Sequence, residues 1–205
     1  MRERTREYID DYFSKMNSLI GDLPQDKIEQ VVETLYNVWE KGAQVFIMGN
    51  GGSASTASHF ACDLAKGTII KDKRRFKVTS LVDNIPLVSS WTNDSGFGSV
   101  FVEQLKPWLK KDDVLIGISV HGGSHAGEAG PWSQNLVKAM KLAKERGANI
   151  IGFSGFSGGA LEDMADICIT IPINSEPLGT PLVESFHVLI HHLVGSALKQ
   201  RIANS

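Results

Sequence analysis

The stretch Val45-Phe46-Ile47-Met48-Gly49-Asn50-Gly51-Gly52-Ser53-Ala54-Ser55-Thr56-Ala57-Ser58-His59-Phe60-Ala61-Cys62-Asp63 decides the fold. Four apolar residues, Val45 to Met48, run into a glycine turn, and a helix-compatible segment opens at Ser53. This order predicts a strand, a tight loop and a helix start. Backbone N–H groups in such a loop, backed by the positive end of the helix dipole, favour an anion such as phosphate. Asn50, Gly51, Gly52, Ser53 and Ser55 are therefore candidate phosphate or sugar contacts, with Thr56 a further hydroxyl. The alternative is an ordinary strand-to-helix turn. The glycine spacing matches neither the dinucleotide fingerprint, which needs a third glycine, nor the P-loop, which needs Gly-Lys-Ser/Thr.

The same alternation extends outward. Apolar runs at Lys77–Val82, Val114–Ser119, Ile150–Ser154 and Ile167–Ile171 are separated by helical patterns around Ile85–Trp91, Gly98–Leu109, Gln134–Arg146, Ala160–Met164 and Leu182–Ile202. Apolar strands alternating with helices predict an α/β fold: a three-layer, doubly wound, five-stranded parallel sheet covered on both faces. Ahead of it, residues 5–20 and Asp26–Lys41 place apolar side chains at helical spacing, so residues 1–42 are expected to form an N-terminal helical hairpin used in packing or oligomerisation. Residues 1–205 then make a single domain. In such sheets ligands collect beyond the carboxyl ends of the strands. The second loop placed there is Ser119-Val120-His121-Gly122-Gly123-Ser124, which offers Ser119, His121 and Ser124 to a phosphate. After it, 125–133 is expected to be a flap or a surface loop.

Composition limits the function classes. With 42% hydrophobic and 21% charged residues and a net charge of −2, broad binding to nucleic acid or to an anionic membrane is not expected. Cys62 and Cys168 fit neither a disulfide framework nor a zinc-finger spacing, no apolar run reaches membrane-spanning length, and the N-terminus lacks a signal-like apolar core. A cytoplasmic protein is expected. Histidines concentrate in two helices: of the six, His59 stands four residues before Asp63, and Glu184, His187, His191 and His192 follow one another late in the chain. Pairs at i, i+3 or i, i+4 share a helix face and suit a metal or an acid and base pair. For His187 and His191 the alternative is a satisfied core histidine.

Taken together, Gly49-Asn50-Gly51-Gly52-Ser53 with His59-Phe60-Ala61, then Asn93-Asp94-x-Gly96-Phe97, then Gly117-Ile118-Ser119 with Gly122 and Ser124, resemble the sugar isomerase (SIS) domain of phosphoheptose isomerases over roughly residues 5–200. The resemblance implies the SIS fold and a homotetramer with active sites shared between subunits. The implied reaction interconverts sedoheptulose 7-phosphate and a D-glycero-heptose 7-phosphate through an enediol, often with Zn2+. By the same resemblance Ser53, Ser119 and Ser124 hold the phosphate, and Asn50 and Asp94 line the sugar site. His59 is a zinc ligand, Asp63 is ligand and general base, and His192 is the second acid/base and a ligand. Glu184 stands where the family has a metal-binding and substrate-binding glutamine. Other members bind a sugar phosphate or a protein partner as non-catalytic regulators, a class expected to lose the ionisable groups.

This sequence departs from the pattern in several places. Asp63 is one methylene shorter than the family glutamate. Val120 and His121 replace hydroxyl residues. An expected arginine is absent, with Lys66 nearest, and Pro181 replaces an aspartate. Glu184 and His192 are eight residues apart, ~12 Å along one straight helix, so either one lies off the helix or one acts in a neighbouring subunit's site.

Overall fold

The structure is a computed structural model and describes residues 2–124, 133–173 and 175–205. Two helices lead: α1 (Arg2–Gly21) and α2 (Gln25–Lys41). The sheet strands are β1 (Gln44–Gly49), β2 (Lys77–Ser80), β3 (Val114–Ile118), β4 (Asn149–Gly155) and β5 (Ile167–Ile171). Between and after them run α3 (Gly52–Cys62), α4 (Ile85–Ser95), α5 (Val100–Leu105), α6 (Gln134–Arg146), α7 (Gly159–Met164) and α8 (Gly179–Ala203). The strands form one five-stranded sheet in the order β2-β1-β3-β4-β5, and every pairing is parallel.

The central strands are apolar on both faces because both faces are covered. Val45 and Ile47 of β1 point into a core shared with Leu35, Phe60, Phe186, Ile190 and Val194 of α2, α3 and α8. Phe46 and Met48 point the other way, against Val100, Leu136, Met140 and Leu161 of α5, α6 and α7. Burying such side chains on both faces contributes about 1.5–3 kcal/mol for each large one. This makes the three layers expected of the pattern.

α2 ends at Gly42, which takes a left-handed turn (φ 66°) and donates its N–H to the Trp39 carbonyl, the usual glycine stop. α8 begins three residues earlier than the expected Leu182, and Pro181 sits in its first turn, where a missing N–H costs nothing. Glu184 and His192 therefore both lie on α8, and neither is off the helix. α3 does not run to Lys66 as a regular helix: Asp63–Gly67 form a π-helical turn. α4 buries no residue. The flap expected at 125–133 lies, except for Ser133, outside the described residues.

Candidate active site

The strand order reverses direction between β1 and β3: from β1 the chain goes out to β2, and from β3 it goes to β4 and β5. At such a switch point the loops leave in opposite directions and open a crevice at the carboxyl edge of the sheet. The β1–α3 loop and the loop after β3 flank it. Gly51 has φ 57° and ψ −125°, a backbone state that demands glycine. A side chain on Gly49 would strike the Ser53 carbonyl oxygen at 2.5 Å. The turn is therefore as tight as the glycines suggested. Ser53 is buried at the start of α3, and Ser55 is exposed one residue beyond Ala54. Asn50 does not point freely into the crevice: its amide exchanges hydrogen bonds with that of Asn135, Nδ2 to Oδ1 at 3.1 Å and the reverse at 2.8 Å. Asn135, itself buried, thus ties the β1 loop to α6. Nothing in the sequence motifs marked it.

After β3, Ser119 is half-buried, Ser124 buried and His121 exposed. The His121 ring packs on Phe156, centroid to centroid 4.3 Å. Gly122 and Gly123 receive the N–H groups of Leu161 and Ala160 on their carbonyls, so this loop is fixed by α7. Asp94 lies exposed near the end of α4, accepting a 2.7 Å hydrogen bond from the Asn93 amide.

The ionisable residues gather where α3 meets α8. His59, Asp63, His191 and His192 present donor atoms that all lie within 4.8 Å of one another. His59 Nε2 is 3.3 Å from His192 Nε2 and 3.8 Å from Asp63 Oδ1. Asp63 Oδ2 is 3.2 Å from His191 Nδ1 and 3.6 Å from His192 Nε2. The π-helical turn starts at Asp63, and such turns gather at functional sites because they re-aim a side chain. Gly195 keeps α8 near it: a Cβ placed on Gly195 would stand 3.8 Å from the Asp63 Cβ.

Burial divides the four. His59 and His192 are about half exposed, and the His191 side chain is 0% exposed. His191 stacks on Phe60 with centroids 5.3 Å apart. Among the described residues its Nε2 has no hydrogen-bond partner, and its Nδ1 has only the 3.2 Å approach to the Asp63 carboxylate. Burial first, then the neighbouring His192 and His59, press its pKa down to about 4 against the pull of Asp63. His187, one turn earlier, is also buried, but its Nε2 meets the Ser154 carbonyl at 3.1 Å. It is a satisfied core residue.

Three imidazoles and a carboxylate are a donor set suited to zinc and similar ions. Donor pairs at 3.2, 3.3 and 3.6 Å approach the edge of about 3.3 Å that bonds of 2.0–2.1 Å produce in a tetrahedron. Glu184 is not among the four. Two turns earlier on α8, its carboxylate lies against Gly52, where a Cβ would meet Oε1 at 2.2 Å.

Comparison with known proteins bears on the family and the fold. A family model described as "SIS domain" matches residues 7–155. A lincomycin biosynthesis protein, LmbN of Streptomyces lincolnensis, is 49% identical over 179 residues, which are 87% of this chain and 64% of that protein, so this chain spans a little under two thirds of its length. A phosphoheptose isomerase of Geotalea daltonii is 31% identical over 98% of this chain and 97% of its own. The structure of the phosphoheptose isomerase GmhA from Neisseria gonorrhoeae superposes with a TM-score of 0.81 at 23% identity, covering 97% of this chain and 98% of that one; at that identity the likeness speaks to the fold. The family match over most of the chain and the full-length relative place the protein: it belongs to the SIS domain family, among the phosphoheptose isomerase-like enzymes.

Proposed function

We propose that the protein is a sugar-phosphate aldose–ketose isomerase whose substrate pair is sedoheptulose 7-phosphate and D-glycero-heptose 7-phosphate, acting in the cytoplasm as a homotetramer with Zn2+. The observation that carries this reading is the meeting of Asp63, His59 and His192 where the helix opened by the glycine loop passes α8. Moving a proton between C1 and C2 requires a base to remove it, an acid to return it, and stabilisation of the enediolate oxygen. In this reading the Asp63 carboxylate takes the proton and the imidazole of His192, half exposed, returns one. Gly51, Gly52, Ser53, Ser55, Ser119, His121 and Ser124 bind the phosphate, and Asn50, Asp94 and Glu184 serve the sugar. His59, Asp63, His191 and His192 would hold the metal, which when bound polarises the carbonyl as a Lewis acid. The fit rests on His191, buried beside the other three donors with Nδ1 turned to Asp63 and no other hydrogen-bond partner among the described residues.

Incubation with sedoheptulose 7-phosphate, with and without Zn2+, followed by NMR, tests the reading. Turnover is expected, and Asp63→Ala and His192→Ala are each expected to lower kcat by about 100-fold or more. Turnover that survives both substitutions would overturn the assigned roles. Absence of turnover, with sedoheptulose 7-phosphate still raising the melting temperature, would move the protein to the regulatory, non-catalytic class. The likeness to LmbN favours a second reading, in which the same chemistry acts on a different sugar phosphate. A panel of ketose phosphates of different chain length separates the two.

A further inference from the structure

We infer that His191 is a direct metal ligand and that Glu184 is not, so that one protomer supplies the whole donor set. The inference rests on the proposed metal site and changes which residues build it. Four observations carry it. Glu184 and His192 lie on one continuous helix, α8, eight residues and ~12 Å apart along the axis, and the Glu184 carboxylate stands outside the group of donors that includes His192. The Glu184 carboxylate is already committed to a different place, packed on the first residue of α3 at Gly52. His191, next to His192, closes the gap: its Nδ1 is 3.2 Å from the Asp63 oxygen that also faces His192.

The fourth observation concerns cost. A buried polar atom without a partner destabilises a fold by about 1–3 kcal/mol, and among the described residues the His191 ring has no hydrogen-bond partner but the Asp63 carboxylate at Nδ1 and none at Nε2, while His187, one turn away on the same helix, is satisfied by Ser154. Coordination through Nδ1, the nitrogen that faces Asp63, gives the buried ring a strong partner on the side where the other donors gather. His59 and His192 approach from the exposed side, so the ion would sit at the boundary between core and crevice, with the sugar reaching it from the crevice. Glu184, free of the metal, faces the loop assigned to the substrate.

The test is metal binding by the purified full-length chain in the absence of any sugar. Wild type, His191→Leu, Glu184→Ala and His59→Ala are titrated with Zn2+ in competition with a chromophoric chelator, and with Co2+ followed by its visible absorption. Wild type and Glu184→Ala are expected to bind one ion per chain with the same affinity. His191→Leu, which keeps the apolar volume against Phe60, is expected to bind at least about 100-fold more weakly, because even loss of an outer partner costs 10–100-fold, and to lose the intense absorption of a tetrahedral Co2+ site. If His191→Leu does not fold, long-range 1H–15N spectra of the wild type decide, since the His191 Nδ1 resonance must move on Zn2+ addition. Equal affinity in His191→Leu and wild type, a Glu184→Ala variant as weak as His59→Ala, an unmoved His191 resonance, or a wild type that binds neither ion would each overturn the inference. Because no sugar is present, failure of the isomerase assay leaves this result standing.

Discussion

One helical turn separates His187 from His191, and their surroundings make them opposite kinds of residue. His187 donates from Nε2 to the Ser154 carbonyl, a tautomer assigned from its partner, and full burial pushes its pKa from 6.5 down to about 4, helped by the proximity of His191. The sign follows directly. Below pH 6.5 the unfolded chain takes up a proton at this residue and the folded chain does not until about pH 4, so the unfolded state binds more protons and stability falls as pH falls. At about 1.4 kcal/mol per pH unit the loss reaches roughly 3 kcal/mol near pH 4 and then levels off. Urea unfolding midpoints between pH 7.5 and 4 are expected to trace this decline together with that of His191, whose pKa is lowered in the same direction, and His187→Gln, which keeps a donor for Ser154 without the titration, is expected to make the slope shallower by the His187 share. A slope unchanged by His187→Gln would assign the pH sensitivity to other groups.

At the scale of elements, the loop after β3 and the start of α7 interlock through glycines. Gly122 has φ 74°, and a Cβ there would stand 1.7 Å from the Gly158 carbonyl oxygen, backbone against backbone. Gly122→Ala is therefore expected to destabilise the protein by more than about 3 kcal/mol, at the severe end for single substitutions, and to weaken binding of sedoheptulose 7-phosphate by displacing Ser119 and Ser124. Denaturant midpoints and thermal shift check the two effects. That a loop of small residues follows a strand here was legible in the sequence, because an apolar run followed by small residues reads clearly when both sheet faces are covered. The strands and their order along the chain were legible for the same reason. The π-helical turn was not: a helix that widens at Asp63 has the composition of one that does not, and the choice depends on α8 passing close by at Gly195. Nor was the Asn50–Asn135 pair, made across 85 residues. His191 stood out as a member of an i, i+4 series, but which side of α8 is buried is decided by Phe60 and the sheet. The spacing of Glu184 and His192 announced the difficulty that His191 resolves.

At the scale of the molecule, the described residues leave apolar side chains uncovered on the leading helices and on α8. α1 exposes Tyr8, Ile9, Phe13 and Ile20, with Phe13 62% exposed, and Leu189 and Leu193 of α8 are exposed as well. Ile20, Leu23, Ile28, Val32, Leu189 and Leu193 line one groove of about 460 Å3 between the leading helices and α8. Apolar faces of this kind mark association surfaces, and the proposed homotetramer supplies an occupant in copies of the same chain. The face on α8 is continuous with the helix that carries His191 and His192, so association and the site share one element. Phe13→Asp and Leu193→Asp, both at exposed positions, place a charge where a partner would have to bury it, which costs several kcal/mol per interface unless the charge is paired. Light scattering after size exclusion is expected to show the wild type as a tetramer and the double variant as a smaller species with unchanged far-UV circular dichroism. Metal stoichiometry should survive the dissociation, because all four donors come from one protomer, while turnover should fall if substrate contacts come from a neighbour. A double variant that remains tetrameric would show that these faces are covered in some other way, and one that loses its metal on dissociating would show that a neighbouring subunit completes the donor set.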